Sequence, residues 1–241
     1  MASNIIQTMW VGNKLSTMER LSLSSFIKNE HEVHLYTYSD VEGVPEGVQI
    51  KDGNEILPED MIFMYKDHKS YSAFSNYFRY KLLFEKGGYW VDTDVVCLKK
   101  FDFKTPYVFC SEEVLPLNQG NTHVGSCIIK MPAGNPIALD SFETCMEKKK
   151  EMLVWGEIGP RLVKQMVEKY NMSLFVKPPE TFCPIPGCMW NLVLNPEQKI
   201  QFDENTYAIH LWNEMWRRSD ASKDADYPPN SYYEQLKEKF L

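Results

Sequence analysis

The chain opens on a run of mostly apolar residues, Ile5-Ile6-Gln7-Thr8-Met9-Trp10-Val11, that ends at Gly12. Such a run suits a strand buried on both faces of a parallel sheet. From Leu15 to Asn29 the apolar positions Leu15, Met18, Leu21, Phe26 and Ile27 recur near helical spacing. Glu32 to Tyr38 is again rich in strand formers. Strand, helix, strand at this spacing is the βαβ signature. Val41 to Lys51 is punctuated by Gly and Pro and reads as a link, and Leu57 to Lys66 as a short helix. Ser70 to Lys86 carries the strongest helical pattern, and Gly87-Gly88 offers it a left-handed stop. Tyr89-Trp90-Val91 follows as a short buried strand running into Asp92-Thr93-Asp94.

Further along, apolar runs near Tyr107–Cys110 and Cys127–Met131 extend the sheet, and Pro136–Lys150 and Glu157–Tyr170 read as amphipathic helices. Short strands and a Pro-rich turn over Pro178–Pro186 come next, then a strand-like run Tyr207–Trp212 that sets Ala208, His210 and Trp212 on one face. Arg217 to Asp226, polar and charged, predicts a mobile loop, and Tyr232–Phe240 a closing helix. No internal repeat interrupts this order. The fold class is α/β, a mixed sheet flanked by helices, with residues 1–241 as one domain.

Within the Ser70–Lys86 pattern, Ala73, Phe74, Tyr77, Phe78, Tyr80, Leu82, Leu83 and Phe84 cover nearly the whole circumference, so the helix is expected to be buried. Arg79 sits in its middle, and a buried guanidinium must meet an anion or a set of acceptors. That partner is either an ordinary packing carboxylate or a pocket shared with the aspartates. Asn76, three residues earlier, lies on the same face. Asp92 and Asp94, two apart on a strand, would point to one side, with carboxylates within roughly 6–7 Å. Two like charges that close repel unless a cation lies between them. Hard oxygen ligands suit Mn²⁺ or Mg²⁺, which take one or two carboxylates plus phosphate oxygens. A bare Asp-x-Asp is common in solvated turns; here Tyr89-Trp90-Val91 and Val95-Val96 bury its flanks.

Composition narrows the chemistry. The 44% apolar and 24% charged shares are those of a soluble globular protein, and a net charge of −7 argues against nucleic acid as partner. No run approaches the ~20 apolar residues that span a bilayer, and Met1-Ala2-Ser3-Asn4 lacks the features of a signal peptide. The six cysteines, Cys97, Cys110, Cys127, Cys145, Cys183 and Cys188, have no Cys-x-x-Cys spacing and read as reduced thiols, not a zinc site. Cys183 and Cys188 are the one pair close enough in sequence to bridge.

The segment from Ser75-Asn76 through Arg79-Tyr80 to Gly87-Gly88-Tyr89-Trp90-Val91-Asp92-Thr93-Asp94 resembles the signature of glycosyltransferase family 32. Weaker similarities extend over most of the chain: Ile5-Ile6 with Trp10-Val11-Gly12, Gly159-Pro160, and His210-Leu211-Trp212. The resemblance implies a GT-A nucleotide-sugar fold, with a nucleotide-sugar-binding half over 1–100 and an acceptor half over 101–241. It implies transfer of a sugar, with retention, from a nucleotide-diphosphate sugar, UDP-linked ahead of GDP-linked, to a glycan or other hydroxyl acceptor. It assigns Asp94 to Mn²⁺, Asp92 to the donor or the metal shell, and Arg79 with Asn76 to the donor sugar. Thr8, Met9 and Trp10 would line the base pocket, Thr93 would lie against the donor, and His210 would approach metal or diphosphate. From their own positions, Trp212 and Trp216 would either cover sugar or base or simply pack in the core. Asn76 stands where the family pattern has Asp, Gln7-Thr8 replaces its His-Gln, and Val124-Gly125-Ser126-Cys127 lacks its acceptor-side Asn, for which Asn121 is the nearest substitute. Since relatives carry a membrane anchor ahead of the catalytic domain, a chain starting at its first strand is expected in a bacterial or viral-host cytosol, unless it is a trimmed form.

Other residues carry weaker expectations. Arg217-Arg218 would close on a diphosphate or form a solvated pair, and Glu112-Glu113 would reach an acceptor hydroxyl. Two rivals remain at this stage. Asp92-Thr93-Asp94-Val95-Val96 also fits the nucleophile motif of haloacid-dehalogenase phosphatases, with Asp92 attacking, although that motif belongs on a first strand. A non-catalytic nucleotide-sugar-binding module is the other.

Overall fold

The computed structural model describes residues 4–66, 68–115 and 121–241; Met1, Ala2 and Ser3, part of the segment tested for a leader, lie outside them. A six-stranded sheet forms the centre. Its strands are β1 (Ile6–Met9), β2 (Val33–Thr37), β3 (Gln49–Asp52), β4 (Gly88–Val91), β6 (Val108–Glu113) and β7 (Thr122–Met131), in the order β3-β2-β1-β4-β7-β6. The first four run parallel, whereas β7 pairs antiparallel with β4 and β6. A separate two-stranded ribbon pairs β5 (Val95–Cys97) with β8 (Ala208–His210).

Side chains alternate across the sheet, and each face meets its own helices. Met9, Tyr36, Trp90, Ile129 and Met131 face one core, shared with α2 (Ser72–Lys86), α3 (Pro136–Glu147) and α4 (Pro160–Lys169). Ile6, Val33, Leu35, Tyr89, Val91 and Ile128 face the other, against α1 (Thr17–Lys28) and Phe182 of α5 (Pro179–Phe182). A third cluster joins α1 to the ribbon, to α6 (Asn213–Arg218) and to α7 (Tyr232–Phe240).

Local chemistry sets the ends that matter for the site. Ser16 donates its N–H to Glu19 Oε2 at 2.8 Å and opens α1. Gly87 ends α2 at φ +64°, where a Cβ would meet the Ala133 backbone nitrogen at 2.4 Å. Only glycine turns the chain there, from α2 straight into β4.

Four expectations are corrected. β3 overlaps the end of the segment read as a link; it is an exposed edge strand without apolar alternation, held by its backbone ladder to β2. Between Leu57 and Lys66 only a 3₁₀ turn forms, over Glu59–Met61, because Phe63 leaves helical spacing to pack edge-on against Phe74 and Tyr77 of α2. Around the Pro-rich turn no strand forms among the described residues beyond a single bridge of Val176 to Phe109. Prolines at 178, 179, 184 and 186 cannot donate to a ladder. The segment expected to be a mobile loop begins as the end of α6 and is then tied to α1. Asp224 Oδ1 accepts from the Thr17 N–H at 2.7 Å, Lys223 pairs with buried Glu19, and the Tyr233 hydroxyl donates to the Lys223 carbonyl at 2.8 Å.

Candidate active site

At the C-terminal ends of β1 and β4 the sheet opens into a cavity of about 530 Å³, a size that takes a nucleotide-scale ligand. This is the side on which open α/β sheets bind ligands. Thr8, Met9 and Trp10 enter it from β1 and the loop beyond, and Asn76 and Arg79 from α2. Asp92, Thr93, Asp94 and His210 line it too, as expected.

The two aspartates are not on a strand. They occupy a turn between β4 and β5, closed by the Val95 N–H on the Asp92 carbonyl at 3.2 Å. The turn nonetheless brings an oxygen of each carboxylate and a ring nitrogen of His210 all within 4.8 Å of one another. His210 arrives from more than a hundred residues away because β8 pairs with β5, setting it opposite Val95. Its Nε2 lies 3.2 Å from Asp94 Oδ2, which also accepts the Asn213 N–H at 2.8 Å. Asp92 Oδ1 accepts from Arg79 Nη2 at 3.0 Å and from Trp90 Nε1 at 2.6 Å. Those bonds fall on one oxygen of each carboxylate, so each keeps a second oxygen for a cation.

Arg79, 3% exposed, resolves the choice the sequence left open, since its carboxylate partner is Asp92 itself. Nη1 also donates to the Ser126 carbonyl at 2.5 Å, and the guanidinium lies 5.0 Å from the Trp90 ring centre. Asn76 donates Nδ2 to the Ser72 carbonyl at 2.9 Å and leaves its Oδ1 without a bond. That orphan has company. Among the described residues six buried side-chain polar atoms lack a hydrogen-bond partner, and five belong to residues lining this cavity: Thr8 Oγ1, Tyr65 Oη, Asn76 Oδ1, Arg79 Nε and His210 Nδ1. Buried polar atoms are normally paired, so their concentration here marks a place where a polar ligand completes the bonding.

The charges are strongly coupled. Burial, together with Asp94, pushes Asp92 above the usual carboxylate range against the pull of Arg79. Burial also raises Asp94, but His210 and the Asn213 N–H outweigh it and hold that carboxyl below its usual range. His210, which burial alone would lower, is pushed up to about 9 by Asp94, with Asp92 and Glu112 adding to it. A neutral residue in place of Asp94 would remove the main reason for that shift, and one in place of Asp92 a smaller part of it.

Three sequence readings are corrected. Trp216 does not line the cavity; fully buried, it donates Nε1 to the Leu211 carbonyl at 2.7 Å and packs on Trp190 and Tyr233. One turn of α6 separates it from Trp212, which does face the cavity. The face expected to run through Ala208, His210 and Trp212 stops at Trp212, whose φ of 60° and ψ of 52° break the strand. A left-handed tryptophan is strained by roughly 1–2 kcal/mol. Its Nε1 bond to the Ile185 carbonyl, at 2.8 Å, and ring contact with His210, at 4.0 Å, hold it there. Asn121 is not among the lining residues; on the acceptor side Ser126 and Cys127 are.

Glu112, only a weak expectation from sequence, lines the cavity while Glu113 does not. Burial pushes its carboxyl up to about 7 in spite of His210. Arg217 and Arg218 also line the cavity, each paired with Glu214. Trp155 and Tyr65, their rings 5.1 Å apart, form a wall that no motif announced. Only the richness in aromatics hinted at it. The phosphatase alternative wanted its aspartates after a first strand; here they follow β4.

Comparison with known proteins fits this geometry. The family described as "Glycosyltransferase sugar-binding region containing DXD motif" matches residues 16–114, and "Alpha 1,4-glycosyltransferase conserved region" matches residues 140–240. Lactosylceramide 4-alpha-galactosyltransferase of Mus musculus is 26% identical over 163 residues, covering 56% of this chain and 39% of that protein. The Homo sapiens protein of the same name is 31% identical over 74 residues, 25% of this chain and 21% of its own. The chain thus spans well under half the length of the curated relatives it matches. A solved structure titled "PaToxG Glycosyltransferase" superposes with a TM-score of 0.51 at 18% identity, over 72% of this chain and 71% of that one. This likeness agrees with the GT-A type of fold expected from the sequence.

Proposed function

The chain belongs to the DXD-containing glycosyltransferases of family 32, and from that premise we propose that it transfers a hexose from a UDP-sugar to a glycan hydroxyl, in an α linkage and with a divalent cation. The observation that carries this reading is the coincidence of the carboxylate–imidazole cluster with the orphaned polar atoms in one cavity. Two carboxylates and an imidazole suit Mn²⁺ or Mg²⁺, and the free carboxylate oxygens fit such an ion. Asp92, Asp94 and His210 are its proposed ligands. Bound there, the ion would supply Lewis-acid neutralisation of the charge that grows on the leaving diphosphate.

The chain's own groups do the rest. Arg79 Nε and Asn76 Oδ1, unpartnered within the protein, are suited to hold donor-sugar hydroxyls in one orientation, which lowers the entropic part of the barrier. Trp10 offers a ring to the base. Arg217 and Arg218 would turn from Glu214 toward the phosphates. Glu112 would take the proton of the acceptor hydroxyl at a carboxylate oxygen, since a base with a pKa near 7 suits that work. The printed names of the relatives specify an α product; from an α-linked nucleotide sugar, that outcome is retention. Acceptors of the galactoside class follow from the same names.

The decisive experiment is a thermal-shift panel of UDP-, GDP-, dTDP- and CMP-sugars with and without Mn²⁺. Stabilisation by UDP-sugars that needs the cation and disappears in Asp94→Ala is the expected pattern. Full transfer activity retained by Asp94→Ala would refute the metal assignment.

A further inference from the structure

Behind the carboxylates lies a second cluster that the glycosyl transfer does not use. Cys110 of β6, Cys127 of β7 and Cys183 at the end of α5 are far apart in sequence, yet their side chains converge between the sheet and α5. Cys110 Sγ is 3.5 Å from Cys127 Sγ, which is 3.7 Å from Cys183 Sγ. All three are buried, and none is in a disulfide. The cysteines are free thiols, as read from the sequence, but three of the six, without any shared spacing in the chain, meet in space.

The spacing is informative. Four ligands around a zinc-class ion, with metal–sulfur bonds near 2.3 Å, place neighbouring sulfurs about 3.8 Å apart. The two measured separations fall at that edge length with no movement of the backbone. A ring nitrogen of His210 joins the sulfurs of Cys127 and Cys183 in a group whose atoms all lie within 4.8 Å of one another. Nε2 of that ring is engaged with Asp94, whereas Nδ1 is buried and without a partner. In such sites a metal-bound histidine usually donates its other ring N–H to a carboxylate, which fixes the tautomer and orients the ring. The local backbone also makes room: a Cβ on Gly125 would come within 2.9 Å of Cys110 Sγ, so the glycine lets that sulfur reach Cys127. The Ile128 N–H, 3.4 Å from Cys110 Sγ, supports it as a thiolate. Cys127 borders the large cavity and Cys183 a smaller one of about 250 Å³, so the cluster has an approach from either side.

We infer that Cys110, Cys127 and Cys183, completed by His210, form a thiolate site for a soft or borderline divalent ion of the zinc class, built against the carboxylate site and sharing its histidine. Binding would release three thiol protons and the Nδ1 proton of the His210 imidazolium for each divalent ion, and leave three thiolates and a neutral imidazole around it, with one net negative charge. Because His210 is common to both sites, an ion on the sulfurs would fix Nδ1 and keep the N–H of Nε2 on Asp94. The donor's cation would then lose its nitrogen ligand. A zinc-class ion would thus oppose donor binding, a coupling that rests on the function proposed above, whereas the thiolate binding itself does not.

The test uses the full chain, reduced and freed of metal, titrated with Co²⁺ and with Cd²⁺. One equivalent of Co²⁺ should give the intense visible bands of a tetrahedral thiolate complex, and Cd²⁺ the ultraviolet charge-transfer band. Cys183→Ser and Cys110→Ser should each weaken both spectra sharply, while Asp92→Asn keeps them. If a serine variant does not fold, cadmium NMR of the unaltered chain still reports whether sulfur or oxygen surrounds the ion. Prior Cd²⁺ should weaken Mn²⁺–UDP binding about tenfold, and less in Cys183→Ser. Weak octahedral Co²⁺ spectra, bands lost with Asp92→Asn alone, or a reduced chain that takes up no ion and simply oxidises to a disulfide would each overturn the assignment. Thiolate spectra without any effect on Mn²⁺–UDP would leave the site standing and remove only the coupling.

Discussion

His31 and His210 are both buried histidines, and their surroundings drive them in opposite directions. His31 sits between the rings of Phe26 and Phe101, its Nε2 accepting the Phe101 N–H at 3.0 Å. Burial there, with Lys100 nearby, lowers it to about 4, and it is a neutral piece of the core. His210 is buried as well, but three carboxylates face it, and it is pushed up to about 9. Burial alone therefore identifies neither a site nor a structural residue. The sign of the shift comes from the company the group keeps, and around His210 that company is anionic.

The largest effect is expected where the anionic region loses its buried guanidinium, Arg79. Arg79→Met should cost about 3–4 kcal/mol in urea unfolding, because it leaves the half-buried Asp92 carboxylate without its cationic partner and the Ser126 carbonyl without its donor. Adding Asp92→Asn should recover part of that loss; if the double variant is as unstable as the sum of the single ones, the pair is not coupled.

The His31 region should yield about 3 kcal/mol through pH. Its folded pKa lies below the ordinary 6.5, so between 6.5 and about 4 the unfolded chain binds the proton and the folded one does not. The stabilisation is therefore complete above pH 6.5 and is lost as the pH falls toward 4. His31→Gln, which keeps an acceptor for Phe101, should flatten that part of the curve of unfolding free energy against pH.

Two smaller effects belong to the His210 side. Trp10→Ala should weaken UDP-sugar binding by about 1–3 kcal/mol, the usual range for base stacking, with little change in melting temperature. Glu112→Gln should remove a rising limb of kcat/KM against pH with its midpoint at about 7, since only the deprotonated carboxyl accepts a proton. A limb that persists in the variant assigns the proton transfer elsewhere.

Legibility in the sequence followed the range of the interaction. α2, its glycine stop, β4 and the aspartates after it could be read because one stretch of about twenty residues holds all the information. β3 could not, since its Ile50 is exposed and nothing but the ladder to β2 makes it a strand. The choice between Trp212 and Trp216 needed the direction of α6. Glu112 entered as one of two adjacent carboxylates, and only the cavity separates it from Glu113.

The sequence alone determined the reaction class, the sheet-and-helix alternation and most of the residues that α2, β1 and the turn after β4 bring to the cavity. Periodicity, helix stops and a motif of fixed spacing are properties of neighbouring residues, and they survive without a fold. Tertiary structure decided what the charges do: that Arg79 pairs with Asp92, that His210 joins the two aspartates, and that three distant thiols meet behind them. Electrostatic and ligand interactions act through space over a few ångströms, and distances between remote segments exist only once the chain is folded.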